Sequence, residues 1–150
     1  MRPETIFSIA DGIILICWIL LVVAPRWRGT EITVHSVAIP FVLGAVYAWL
    51  LWRVWVGGGL PDLSYSTLHG LAAWYSSPIG ISVMWVHYLI FDLFIGAWQV
   101  RDAVRRGISH WIVVPCVIVT MVAGPLGLLL YLAMRIVVRR GGFLLAEAPA

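Results

Sequence analysis

Long apolar runs separated by short polar breaks dominate the chain, and their length is that of membrane spans. Positions 6–24 carry one formal charge, Asp11, and positions 34–52 carry none. Positions 63–91 carry none, the apolar pattern continues past Asp92 to Val100, and positions 107–134 carry none. Crossing the hydrocarbon of a bilayer takes about 20 mostly apolar residues in a helix, so every run qualifies. The third run exceeds one span, and Pro78 and Gly80 divide it. Before that division the chain is more polar, and Leu68, Leu71, Ala72 and Tyr75 follow helical spacing, the pattern of a short amphipathic helix in the membrane interface. Gly57-Gly58-Gly59 breaks the chain ahead of it. The expected fold is all-α: one membrane domain with four transmembrane helices over about 6–24, 34–56, 80–100 and 110–138, and an interfacial segment over about 63–76 between helices two and three.

The first run also has the outline of a secretory signal, with Arg2 ahead of an apolar core. Pro25 directly after Val22-Val23-Ala24 is a poor cleavage context and Asp11 interrupts the core, so a retained helix is the better reading. Helix four contains Pro125, which is expected to kink it. Its Thr120, Gly124, Gly127 and Tyr131 share a face on which small residues let another helix approach closely, within the bundle or in a helix-mediated oligomer.

Composition strengthens the membrane reading. The chain is 62% hydrophobic and 11% charged, against about 25% charged in an ordinary soluble domain. All ten basic residues are arginines, and they lie at loops and helix ends as headgroup anchors do, forming no basic stripe for nucleic acid. Trp27, Trp98 and Trp111 fall at one set of helix ends and Trp52, Trp55 and Trp74 at the other, the depth that tryptophan prefers. With four spans, Arg26, Arg28, Arg101, Arg105 and Arg106 face one side and Arg2, Arg53, Arg135, Arg139 and Arg140 the other, so charge gives no orientation. Cys17 and Cys116 sit inside apolar runs as packing residues, with no disulfide or metal-ligand spacing.

Polar groups at membrane depth are costly and mark function or helix contacts. His87 and Asp92 both fall near the middle of helix three. Their separation of five residues means about 7.5 Å along the axis and about 140° around it, so they do not touch within one helix. His87, Phe91, Phe94, Trp98 and Arg101 repeat as a helical stripe, either a packing seam or an aromatic groove with a polar group at each end. Asp102 is placed to pair with Arg105 or Arg106 as a solvated surface pair, and His110 starts helix four at the interface. Glu4, Ser8 and Asp11 share a face of helix one. No histidine pair stands at helical ligand spacing, and no dinucleotide, P-loop or nucleophile-elbow motif occurs; neither a metal nor a cofactor is expected.

The stretch Trp85-Val86-His87-Tyr88-Leu89 through Phe91-Asp92-Leu93-Phe94-Ile95-Gly96 to Trp98, then Arg101-Asp102 and Gly107-Ile108-Ser109-His110, resembles the abscisic-acid-deficiency, neoxanthin synthase-like family of membrane proteins. So do Pro115-Cys116, Thr120 and Gly124-Pro125-Leu126-Gly127-Leu128-Leu129-Leu130-Tyr131, while Ala24-Pro25-Arg26-Trp27 and Tyr75-Ser76-Ser77-Pro78 look like its bacterial branch. The resemblance implies an integral, multi-pass protein, of a bacterial inner membrane, that acts on or binds a carotenoid or related isoprenoid. In plants the associated chemistry is the isomerisation of an epoxy-carotenoid to an allene, which is redox-neutral and needs an acid and a base. His87 and Asp92 are the residues expected to supply them, with Arg101 or His110 assisting at the membrane edge. Trp85, Phe91, Phe94 and Trp98 would hold the polyene as it enters from the bilayer. Two other readings stand beside this one: a module that binds pigment or assembles with a partner without chemistry, and a small transporter with Asp92 and His87 as a proton relay.

Overall fold

A computed structural model describes residues 2–57 and 66–138, and every regular element among them is helical. The order is α1 (Pro3–Val23), α2 (Arg28–Thr33), α3 (Ala38–Val56), α4 (Leu68–Tyr75), α5 (Pro78–Arg105), α6 (His110–Val122) and α7 (Gly124–Val137). Three stretches are long and apolar enough to cross a membrane: Pro3–Val23, Arg28–Val56 and Pro78–Arg105. Large apolar side chains such as Ile16, Phe41, Phe91 and Val122 remain exposed, the surface of a protein solvated by lipid. The chain is an integral membrane protein.

The ends of these helices have local causes. Pro78 occupies the first turn of α5, and the Ser77 hydroxyl accepts from Gly80 N at 3.1 Å, so the helix starts just before the expected Gly80. It runs past the expected end near Val100 to Arg105. There Gly107 takes a left-handed conformation (φ 66°), and Gly107 N and Ile108 N donate to the carbonyls of Val104 and Ala103, a Schellman stop. Thr67 caps α4 by accepting from Gly70 N at 3.1 Å. This helix is the amphipathic segment expected over 63–76, less positions 63–65, which lie outside the described residues, as do Gly58 and Gly59. Its Trp74 is buried under other side chains and is no part of an aromatic belt. The short α2 has no counterpart in the apolar pattern.

The chain divides into two units. The first comprises Met1–Leu15 and Val37–Phe91. In it Ser82 Oγ donates to the Pro78 carbonyl at 2.8 Å and approaches that of Pro3 at 3.4 Å, bringing together the N-terminal ends of α1 and α5. Phe7 stacks on Trp85 at 5.3 Å, and Tyr75 and Tyr88 share a hydroxyl hydrogen bond of 3.1 Å.

The second unit comprises Ile16–Ser36 and Asp92–Ala150. His110 Nε2 donates to the Val22 carbonyl at 2.8 Å and Arg101 Nη1 to His35 Nδ1 at 3.3 Å. These bonds gather the C-terminal end of α1, the connection after it, the C-terminal end of α5 and the start of α6. Trp18 lies over Gly96, where a side chain would overlap the indole.

The expected fourth span is two helices. Extended backbone at Ala123 (φ −149°, ψ 76°) ends α6 and begins α7, with Pro125 in the first turn of α7 where its missing N–H costs nothing. Neither piece, at 13 and 14 residues, has the length of a span of about 20 residues. The chain reverses at this point. Thr120 bonds to Gln99 and Tyr131 to Asp102, partners only three residues apart on α5. In an unbroken helix Thr120 and Tyr131 would be about 16 Å apart along the axis. Gly127 lies on the backbone of Thr120, which a methyl group there would overlap. The expected single face of Thr120, Gly124, Gly127 and Tyr131 is divided by the reversal, Thr120 on α6 and the other three on α7, and all four are buried inside this unit.

Replacing Gly127 by Ala is expected to destabilise the α6–α7 hairpin by about 1–3 kcal/mol, because the backbone N and Cα of Thr120 obstruct the methyl group as well as its Oγ1 and cannot rotate away. Thermal unfolding in detergent checks this, with Gly12→Ala, where the added methyl meets nothing, as the neutral control.

Candidate functional site

The face of α5 that receives α6 and α7 is a file of polar groups. Asp92, Gln99, Asp102 and Arg106 fall within about 80° of one another around the helix. At the C-terminal end of this file Asp102 Oδ2 accepts from Arg106 Nε at 2.8 Å, from Tyr131 Oη at 2.7 Å and from Arg135 Nη1 at 3.1 Å. Asp102, Tyr131 and Arg135 are all buried, so the charge pair is shielded from solvent. The expected pairing of Asp102 with Arg106 is present, but the solvated surface pair is in fact the centre of a buried network. Two or more charge-assisted bonds to one carboxylate offset the desolvation that an isolated buried charge would suffer. Trp98 packs edge-on against Tyr131 at 5.5 Å between centroids and fixes the phenol ring.

One turn deeper, Gln99 Nε2 donates to Thr120 Oγ1 at 2.9 Å, and Thr120 Oγ1 donates to the Cys116 carbonyl at 2.8 Å. Gln99 and Thr120 are fully buried. Deepest is Asp92, whose carboxyl lies against Gly124, the first residue of α7; any side chain at that position would overlap it. A helix N-terminus carries unpaired N–H groups and a partial positive charge, so a carboxylate is favoured there. Asp92 is 13 residues from Arg105, or about 20 Å along α5, which places it near the middle of the span.

The other expected residues are distributed around this file. His87 belongs to the first unit and is half-buried in an aromatic surround: Phe91 at 4.8 Å, Tyr47 at 5.9 Å and Tyr88 at 6.0 Å. Trp85 stacks on Phe7, and Phe91 and Phe94 project outward from α5, each more than half exposed. Of the expected polyene-holding residues, Trp98 alone turns inward, to Tyr131. Arg101 bonds to His35, whose Nε2 donates to the Pro25 carbonyl at 3.2 Å. His110 bonds to Val22. Arg101 is nine residues, about 13 Å, along the axis from Asp92, at the end of the helix. The four expected acid, base and assisting groups are thus not one cluster.

Sequence reasoning missed Arg135, His35 and the depth of Asp102. Arg135 had a signal, being a formal charge amid Leu132-Ala133-Met134 and Ile136-Val137, where its cost demands a partner. His35 had none, because nothing in the local pattern ties it to a residue 66 positions later. Among the described residues no group of three His, Cys, Asp or Glu side chains converges as a metal site.

Comparison with known proteins adds an independent line. Residues 5–131 match a family described as ABA DEFICIENT 4-like. The chain is also similar to the Arabidopsis thaliana protein ABA DEFICIENT 4, chloroplastic, with 27% identity over 111 residues, covering 71% of this chain and 50% of that protein. The chain thus spans about half the length of the curated relative it matches. No solved structure matches.

Asp102→Ala is expected to lose about 3–5 kcal/mol by leaving Arg135 buried without its counter-charge. The pair Asp102→Leu with Arg135→Met should lose less than the sum of the two single changes. Unfolding in detergent, run as a double-mutant cycle, measures the coupling.

Proposed function

This chain belongs to the ABA DEFICIENT 4-like family, and we propose that it is a carotenoid-modifying membrane protein that isomerises an epoxidised end group within the bilayer. The reaction moves protons only. An acid protonates the epoxide oxygen as its C–O bond breaks, and a base removes a proton from the neighbouring carbon, whose electron pair becomes the new double bond of an allenic alcohol. Atoms and electrons balance without a redox partner.

The observation that carries this reading is the position of Asp92: a carboxyl near the centre of an apolar helix, fixed against the first residue of α7, on the helix that also turns Phe91 and Phe94 outward. A polyene diffusing in the bilayer meets that stripe without leaving hydrocarbon. Asp92 is assigned to proton transfer at the end group. His87, with Phe91, Tyr47 and Tyr88 around its ring, lies in the first unit on the stripe with Phe91, where it would contact the polyene. Arg101 and His110 lie at the membrane edge, where they would hold polar substituents at the far end of a long substrate.

One observation favours binding without chemistry. In the first unit a cleft of about 410 Å³ is walled by apolar side chains, among them Ile6, Ile9, Ile13, Val42, Val46 and Trp49. Such a cleft suits a polyene or acyl chain and contains nothing to react with it.

Carotenoid profiling of a bacterial host that makes epoxy-carotenoids, with and without this protein, tests both. Conversion is expected to give a product of unchanged mass and altered retention. Asp92→Asn keeps an acceptor at the start of α7 but removes the exchangeable proton, so it should lower conversion at least 100-fold with insertion and folding intact. An unchanged profile across several carotenoid backgrounds rules out the isomerase; recovery of unaltered pigment with the purified protein would then establish the binding role.

A further inference from the structure

We propose that the chain crosses the membrane three times, that α6 and α7 form a re-entrant hairpin, and that the C-terminal ends of α1 and α5 face the cytoplasm. The hairpin enters beside the end of α5, since His110 bonds to Val22 and α6 follows α5 after four residues. Its 13 residues rise about 20 Å, the same distance that separates Arg105 from Asp92 along α5. The turn accordingly meets Asp92, and α7 returns until Tyr131 and Arg135 stand at Asp102. Non-helical backbone at this depth is tolerated only where protein covers it, and Gly124 and Gly127 are buried.

The geometry also resolves the charge tie. With the hairpin returning to its side of entry, Arg26, Arg28, Arg101, Arg105, Arg106 and Arg135 share one face of the membrane. Only Arg2 and Arg53 stand on the other. Six against two among the described residues is a clear positive-inside bias.

A sided reporter fused after Ala150, with single cysteines at the exposed Ser66 and Ser109 in a Cys17→Ala, Cys116→Ala background, tests this in intact bacterial cells. The expected result is a cytoplasmic reporter, Ser66→Cys labelled by an impermeant maleimide, and Ser109→Cys labelled only after permeabilisation. A reporter on the side of Ser66 overturns the hairpin. Labelling of Ser109→Cys in intact cells overturns the orientation.

A separate observation in the second unit carries a binding site. A cleft of about 350 Å³ is lined by Arg26, Arg101, Arg105, His35 and Glu31, with Val104 on its apolar wall. The Pro25 carbonyl can only accept, so His35 Nε2 carries the proton and Nδ1 offers its lone pair to Arg101. That bond aims the Arg101 guanidinium from a neutral ring. Three guanidinium groups against one carboxylate favour an anion, and fork-shaped donors suit phosphate. We infer that the cleft takes the phosphate headgroup of an anionic phospholipid, with its acyl chains along the Val104 wall.

Native mass spectrometry of the intact protein tests it with phosphatidylglycerol, phosphatidylcholine and glycerol 3-phosphate as probes. Phosphatidylglycerol should be retained over phosphatidylcholine, and Arg26→Gln with Arg105→Gln should weaken that retention about tenfold while thermal stability without added lipid holds. Equal retention of the two lipids, or no effect of the double variant, overturns the site. Glycerol 3-phosphate binding as tightly as the lipid reassigns it to a soluble phosphate ligand.

Discussion

A backbone turn in the middle of a bilayer has no water to bond with, and the rest of this structure is arranged around that constraint. At Ala123 the chain breaks a helix at the depth where unpaired peptide groups are most costly. What makes the break tolerable is the polar file on α5. Asp92 meets the beginning of α7, Gln99 ties to Thr120 near the end of α6, and Asp102 ties to Tyr131 and Arg135 on the returning strand of the hairpin. Each bond joins residues far apart in sequence, so the hairpin and α5 are stable only together.

The same helix presents two different faces. The stripe of His87, Phe91, Phe94 and Trp98 is centred about ninety degrees around α5 from the centre of the file. One face is tied internally through Gln99 to Thr120 and Asp102 to Tyr131 and Arg135; on the other, Phe91 and Phe94 are exposed to hydrocarbon. Asp92 belongs to the first face by its contact with Gly124. A carboxyl held in this way is pre-organised by the fold rather than by a ligand.

Small residues are where the local pattern and the final packing agree best. The spacing of Thr120, Gly124, Gly127 and Tyr131 marks positions for close approach, and each is in close contact, though Thr120 is on α6 and the others on α7. Its partner was not legible, because a stripe of small residues has the same form whether it meets another chain, another span or the other arm of its own hairpin. Pro125 was equally ambiguous: it kinks a helix when an N–H is needed before it and begins one when it is not. Asp102 was misjudged for a related reason, since a nearby Arg106 at i+4 explains it locally and hides the more distant Arg135.

Hydrophobic periodicity and length alone settle that this chain is helical and lives in lipid, because the free energy of exposing such runs to water is set by composition and not by arrangement. They also mark His87 and Asp92, since charge or polarity at depth is costly whatever surrounds it. Whether an apolar stretch of 29 positions is one crossing or two half-crossings depends on partners that compensate a broken backbone. Those partners, Asp92, Gln99 and Asp102, lie on another helix, and only the tertiary structure brings them to the break.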